Sequence, residues 1–178
     1  MKGCEYLSGD NAAGYLFDMI FSQIYAKMNR SIIRKIILDI LGNPNVEDEI
    51  ETIHNFIDFN DFIIRKGAIS SYFGTRSIIP FNMRDGILIC EGKSNPEWNY
   101  SAPHGAGRVM SRSKAKKEVS LDVFEEQMKG IYSTSVGAGT LDEAPDAYKN
   151  AAIIEAAITP TATILNRITP IHNMKDIG

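Results

Sequence analysis

From Asp10 to Leu41 the apolar residues return at helical intervals: Leu16, Ile20, Ile24 and Met28 every four residues, then Ile33, Ile36, Ile37 and Ile40. A periodic stretch of this length commits the chain to a long helical element near its start. Gly14 is an interior weak point. A bend is expected at Arg30-Ser31, where the apolar phase shifts, and Gly42-Asn43-Pro44 is a stop. A shorter helix is expected from Glu47 to Asn55, because Val46, Ile50 and Ile53 share a face and acidic residues gather at its start.

From Asp58 to Ile89 the texture turns to short β-prone runs: Phe62-Ile63-Ile64-Arg65, Ser77-Ile78-Ile79 and Ile87-Leu88-Ile89, separated by the polar turns Arg65-Lys66-Gly67-Ala68 and Arg84-Asp85-Gly86. Glu91 to Arg108 has almost no periodicity and is rich in Gly, Asn, Pro and Ser, which is where a site belongs in an otherwise apolar chain. Further on, Ser111 or Ser113 is placed to cap a short helix, and Ser120 another that carries Leu121, Phe124 and Met128. Pro145 suits the first turn of a helix running to about Ile158, which Pro160 ends. Ile164, Ile168 and Ile171 fall in a final extended or mixed segment. The pattern predicts an α+β fold, a single domain over residues 1–178, with long N-terminal helices packed on short strands.

Composition narrows the function classes. The chain has 178 residues and a net charge of −3, so no strong basic field covers it and non-specific nucleic-acid binding over the whole surface is excluded. No run of about 18 apolar residues is present, so no membrane span is expected. The N-terminus lacks a basic-then-apolar leader, which predicts a cytoplasmic protein. Cys4 and Cys90 make neither a disulfide framework nor a CxxC pair. The phosphate-loop pattern GxxxxGK[ST] and the dinucleotide fingerprint GxGxxG are both absent.

The strongest local signal is Ser101-Ala-Pro-His-Gly-Ala-Gly-Arg108. Pro103 biases Ala102 towards an extended conformation. Gly105 and Gly107 then allow a sharp turn that exposes amide donors, a concavity suited to phosphate. His104 sits at its mouth, and Arg108 offers a two-point fork for phosphate. A histidine there serves as proton donor, metal ligand or phosphoryl acceptor; the bland reading is a tight turn with a solvent-facing histidine. His54-Asn55 is second: an imidazole beside a carboxamide suits a metal and a phosphate oxygen, or a plain helix-end contact. Arg65-Lys66, Arg108 to Arg112 and Lys114-Lys116-Lys117 are basic groups that fit either an RNA backbone or a solvated face. Trp98, Tyr100 and Tyr148 are each a stacking surface or a lid on the core.

Ser101-Ala-Pro-His-Gly-Ala-Gly-Arg-Val-Met-Ser-Arg112 resembles the signature of the RtcB-type RNA ligases. The resemblance extends through Glu5-Tyr-Leu, Asn29-Arg30, His54-Asn55-Phe56, Arg65-Lys66-Gly67-Ala68 and Asp142-Glu-Ala-Pro-Asp-Ala-Tyr-Lys149, in the family's order. It implies the C-terminal part of an RtcB-like catalytic fold. It also implies an activity that joins an RNA 2′,3′-cyclic phosphate or 3′-phosphate end to a 5′-hydroxyl end, with GTP and manganese (Mn2+). By the same resemblance His104 takes guanylate as a phosphoramidate, His54 is a manganese ligand and Asn55 contacts the guanylate phosphate. The amides of Gly105, Ala106 and Gly107 lie against the nucleotide, Tyr148 stacks on guanine, and Lys175 lies near the base. Arg108 and Arg65 are implied at the RNA.

Three departures accompany it. Where the family carries Pro-Gly-Ser-Met-Gly, this chain has Ile79-Pro-Phe-Asn-Met-Arg-Asp-Gly86, which makes Asn82 the candidate contact of an altered loop. The chain runs past Lys175 as Asp-Ile-Gly. The front half of the family's catalytic domain, with its Asp, Cys and further His ligands, has no counterpart, so a partner supplying that N-terminal ligase half is expected. The alternatives are a noncatalytic nucleotide- or RNA-binding module, and a structural half of a split ligase. Covalent guanylate transfer separates the first reading from these.

Overall fold

The computed structural model of the chain describes residues 6–175, so Cys4 and Glu5 lie outside the described residues. By its internal contacts the chain divides into two units, one holding the residues up to Glu49 with Phe56–Ile64, the other Ile50–Asn55 with Arg65 onward. The elements are mixed helix and strand, as the periodicity predicted.

In the first unit, helix α1 runs from Gly9 to Ile40 without interruption. The expected bend at Arg30-Ser31 does not occur. None of α1's side chains is buried, so a drift in apolar phase meets no packing surface that would enforce a kink. The stop is a paired C-terminal cap: Gly42 adopts φ 79°, its N–H donates to the Asp39 carbonyl at 3.1 Å, and Asn43 N–H reaches back to the Leu38 carbonyl at 2.8 Å. Strand β1 (Asn55–Asp58) pairs with β2 (Ile63–Lys66), and the Ile57 amide donates to Gln23 Oε1 on α1 at 2.6 Å.

The helix expected over Glu47 to Asn55 is not formed; the segment is irregular until β1 begins at Asn55. Nucleating so short a helix is unfavourable, and its polar groups are engaged elsewhere. Asp48 accepts from the Glu49 amide at 2.9 Å, Arg34 pairs with Glu49, and the Thr52 hydroxyl accepts from the Ile78 amide at 3.0 Å.

In the second unit, β4 (Arg76–Pro80), β5 (Ile87–Gly92) and β7 (Ala162–Ile168) form an antiparallel sheet with β5 in the middle. β3 (Ala68–Ser70) pairs with β6 (Ser101–Pro103), an element hidden in the aperiodic stretch. Inward residues of these strands, Ile69, Ile79, Leu88, Cys90 and Ala102, pack with Ile154 and Ile158 of α4 (Ala151–Ile158) into the main core. A second cluster gathers Phe124 and Met128 around α3 (Leu121–Gln127) with Met83 and Ala144. Ser111 caps α2 (Arg112–Glu118) by accepting from the Lys114 amide at 3.2 Å. Ser120 precedes α3 without a side-chain cap bond.

The helix expected to run from Pro145 to Ile158 is split. Pro145–Ala147 makes one 3-10 turn, Tyr148 is extended, and α4 starts afresh at Ala151 with Asn150 as its cap. Tyr148 is extended because its neighbours pair with the loop after His104. Val109 N–H donates to the Ala147 carbonyl at 2.9 Å, and Lys149 N–H to the Gly107 carbonyl at 3.1 Å. Among the described residues no helix is long and apolar enough to cross a membrane.

Candidate functional site

β6 delivers His104 to the rim of a cavity of about 550 Å³. Its wall includes Pro80 to Met83, Gly86, the His104–Arg108 loop, Arg112, Tyr148, Ile168, Pro170, Asn173 and Lys175. That size suits a nucleotide-scale ligand. Seven expected site residues thus share one cavity with Asn82: His104, Gly105, Ala106, Gly107, Arg108, Tyr148 and Lys175.

The loop geometry follows from its glycines. A Cβ on Gly105 would lie 2.9 Å from the Pro80 carbonyl oxygen, so only glycine lets β4 approach this closely. Gly107 has φ 69°, the left-handed region. One expectation is corrected here: the Ala106 N–H, placed against a nucleotide by resemblance, donates instead to the Pro80 carbonyl at 3.0 Å. Its amide ties the loop to β4 and is not presented to the cavity.

His104 packs ring to ring with His54, with centroids 4.8 Å apart and planes 12° from parallel. Burial lowers the His104 pKa, and the adjacent His54 lowers it further. The imidazole is therefore held neutral at neutral pH, the form that has a lone pair to donate. Gly67 lies flat against the same ring; a Cβ there would sit 3.5 Å from His104 Nε2. Asn55 lies outside the cavity lining, and its side-chain oxygen accepts from the Gly67 amide at 3.2 Å. It shapes the turn that backs His104.

A charged network starts from the last residue of the loop, Arg108. The Arg108 guanidinium lies over the Tyr148 ring, 4.8 Å from its centroid, and donates to the Tyr148 hydroxyl at 3.0 Å and to the Asp142 carbonyl. Arg112 donates to Asp142 at 2.6 Å and to Glu143 at 2.7 Å. Burial pushes the Asp142 and Glu143 carboxyls up, yet both stay below their ordinary values. Arg112 and Lys116 outweigh burial at Asp142; the Tyr148 hydroxyl, Lys175 and Arg112 do so at Glu143. Tyr148 is pushed up to about 12 by burial and by its hydrogen bond to the Glu143 carboxylate. Arg112, Asp142 and Glu143 were not expected at the site. The signal that finds them is a basic pair, Arg108 and Arg112, facing an acidic pair some 30 residues later.

Two expected residues are placed differently. Asn82 spends its amide on its own turn, accepting from the Arg84 and Asp85 amides at 2.9 and 2.8 Å and donating to the Asp85 carboxylate at 2.8 Å. It lines the cavity as part of the turn, not as a free donor. Arg65, expected at the RNA, is only 2 % exposed. Its guanidinium donates to Ser101 Oγ at 2.9 Å and to the Tyr72 hydroxyl at 3.2 Å. It braces the start of β6 and offers no surface to an RNA backbone.

Manganese is tested by the donor set. Among the described residues no group of three His, Cys, Asp or Glu side chains is arranged to hold a metal ion, and His54 is the single expected ligand. One imidazole does not make a site, so the described residues do not fit the metal by themselves.

Comparison with known proteins shows the family. A family model described as tRNA-splicing ligase RtcB matches residues 4–176. The chain is 32% identical over 175 residues to the RNA-splicing ligase RtcB of Escherichia coli K12, covering 88% of this chain and 41% of that protein. It is 28% identical over 182 residues to the tRNA-splicing ligase RtcB of Archaeoglobus fulgidus, covering 82% of this chain and 38% of that protein. The chain thus spans about two-fifths of the length of the curated relatives it matches. With the family match running nearly end to end, the chain belongs to the RtcB family of RNA-splicing ligases.

Proposed function

We propose that this chain is the guanylate-accepting portion of a GTP- and manganese-dependent RNA ligase that joins RNA 3′-phosphate or 2′,3′-cyclic phosphate ends to 5′-hydroxyl ends. One observation carries the reading: a neutral, half-buried imidazole stands on a glycine loop that lines a cavity together with Arg108, Arg112, Tyr148 and Lys175. Cations there suit the phosphates and an aromatic ring suits the base. Tyr148, half-buried on the cavity wall, is the aromatic side chain that this reading assigns to the guanine.

In this reading a His104 ring nitrogen attacks the α-phosphorus of GTP. A P–N bond forms, the bond to the bridging oxygen breaks, and pyrophosphate leaves. An oxygen of the RNA 3′-phosphate then attacks the same phosphorus, which breaks the P–N bond and frees the imidazole. The 5′-hydroxyl oxygen finally attacks the activated RNA phosphorus, loses its proton and expels GMP. On this reading Arg108 is the chain's contact to the RNA. Manganese, when bound, would neutralise charge on the phosphates; His54 is this chain's contribution to holding it. The remaining ligands belong to a partner, the N-terminal ligase half corresponding to the length of the relatives that this chain does not span.

The test is intact-mass spectrometry of the chain after incubation with GTP and manganese, alone and with a separately expressed N-terminal half of a relative. The expected result is a gain of one guanylate in the complemented sample. GTP binding with no covalent gain in either sample would replace the ligase reading with a noncatalytic nucleotide-binding module.

A further inference from the structure

Glu143 is 8% exposed, and a carboxylate at this depth is costly unless its oxygens are fully used. They are. Oε2 accepts from the Tyr148 hydroxyl at 2.8 Å and pairs with Lys175 Nζ at 3.2 Å. Oε1 accepts from Arg112 at 2.7 Å and lies 3.6 Å from Arg108. All four partners line the cavity, whereas Glu143 itself does not.

The four partners come from separate stretches of chain. Arg108 follows the glycine loop, Arg112 opens α2, Tyr148 sits between a 3-10 turn and α4, and Lys175 lies near the end. Their long side chains are rotamer-rich and would otherwise sample many arrangements. The neighbouring Asp142 does a different task, holding Arg112 and Lys116 of α2 with no contact to Tyr148 or Lys175. Lys175 is fixed at its other end as well: its amide donates to Ser135 Oγ at 2.8 Å and its carbonyl accepts from that hydroxyl at 2.9 Å. The backbone of Lys175 is set by Ser135, and its ammonium by Glu143.

We propose that Glu143 is the positioning residue of this cavity, holding Tyr148, Lys175 and Arg112 in one ligand-ready arrangement without touching the ligand. The inference rests on the nucleotide reading above for the identity of the ligand, a guanine nucleotide, but not for the arrangement itself. Ordering these side chains before binding removes that cost from the binding step, so losing the carboxylate weakens affinity and leaves the reacting atoms in place.

Two readouts on the full chain separate the ideas. The first is the GTP dissociation constant by calorimetry for the wild type and Glu143→Gln, a near-isosteric change that removes the charge. The expected result is weakening by about tenfold. The second is 13C-tyrosine NMR, with Tyr148 identified by the signal lost in Tyr148→Phe. At about pH 11, above the ordinary tyrosine value of roughly 10, the wild-type Tyr148 phenol stays mostly protonated. In Glu143→Gln burial still holds the phenol up, but the part that the Glu143 carboxylate adds is gone, so ionisation begins at lower pH than in the wild type. Wild-type affinity unchanged in Glu143→Gln overturns the proposal. If the wild type binds no GTP, the nucleotide reading fails and the phenol alone decides: earlier ionisation supports Glu143 as the organiser, and an unmoved phenol overturns it. Should Glu143→Gln not fold, Glu143→Asp withdraws the carboxylate by about 1.5 Å and is read in the same two ways.

Discussion

On the ligase proposal, replacing His104 with alanine should abolish covalent guanylate attachment in a complemented preparation, a loss of roughly a thousandfold or more in labelled product. The size follows from the role. A ring that only contacts phosphate contributes a hydrogen bond, whereas a nucleophile contributes the bond itself. The cavity keeps Arg108, Tyr148 and Lys175 when the imidazole is gone, so nucleotide affinity in His104→Ala should change by only a few-fold. The chemistry of the adduct gives a second check. A guanylate on imidazole nitrogen is a phosphoramidate, which survives alkali and is released by mild acid. Label that still attaches to His104→Ala, or that resists acid on the wild type, would move the nucleophile elsewhere.

The largest effect on stability is expected from Gly86→Ala. Gly86 closes the turn between β4 and β5 with φ 75°, a conformation that strains an L side chain. A Cβ there would also lie 2.0 Å from the Ile168 carbonyl oxygen, which is backbone and has no rotamer to swing away. Relief would require β7 to retreat from β5, where Ile87 pairs with Ile168. Strain and overpacking together should cost about 2–4 kcal/mol, which lowers the urea midpoint by about 1–2 M for a domain of ordinary denaturant sensitivity. Because Gly86 and Ile168 both line the cavity, nucleotide affinity should fall with it. An unchanged midpoint would mean that β7 does not approach the turn this closely. Gly130, with φ 90° but nothing within 4 Å of its Cβ position, is the control: it carries the strain without the clash.

What could be read from the sequence follows the range of the forces involved. The limits of α1, its glycine stop, the Ser111 cap and strands β2, β4 and β5 all rest on interactions within a few residues, and they stand close to where the pattern put them. The stretches from Glu47 to Asn55 and from Pro145 to Ile158 look helical by the same local rules. They depart because Thr52 is engaged by Ile78 and because Ala147 and Lys149 pair with the His104 loop, partners that no local pattern contains. The site divides in the same way. The loop from Ser101 to Arg108 announces itself through Pro103 and its glycines. The stacking of His54 on His104, 50 residues apart, comes from the β3–β6 pairing, which carries Gly67 and the turn beside His54 to the same place. Glu143 was visible only as part of a family motif; its meaning depends on four partners that the fold collects. Arg65 is the reverse case. Beside Lys66 it looks like a surface basic pair, and burial decides otherwise.

Helix α1 has a consequence for how the molecule breathes. All its amides beyond the first turn are hydrogen-bonded along the helix, yet no side chain of its 32 residues is buried. Most helical stability in proteins comes from packing an apolar face, and α1 has no buried side chain to supply it. In deuterated solvent its amides should exchange by fraying and local opening, at rates set by helix–coil equilibrium and insensitive to Gly86→Ala. The amides of β5, bonded on both edges, should instead report global opening and accelerate with that substitution. Two exchange regimes in one short chain mean that its far-ultraviolet dichroism and its sheet unfolding need not share a single transition. A melting curve followed through helix signal alone would describe α1 and say little about the cavity.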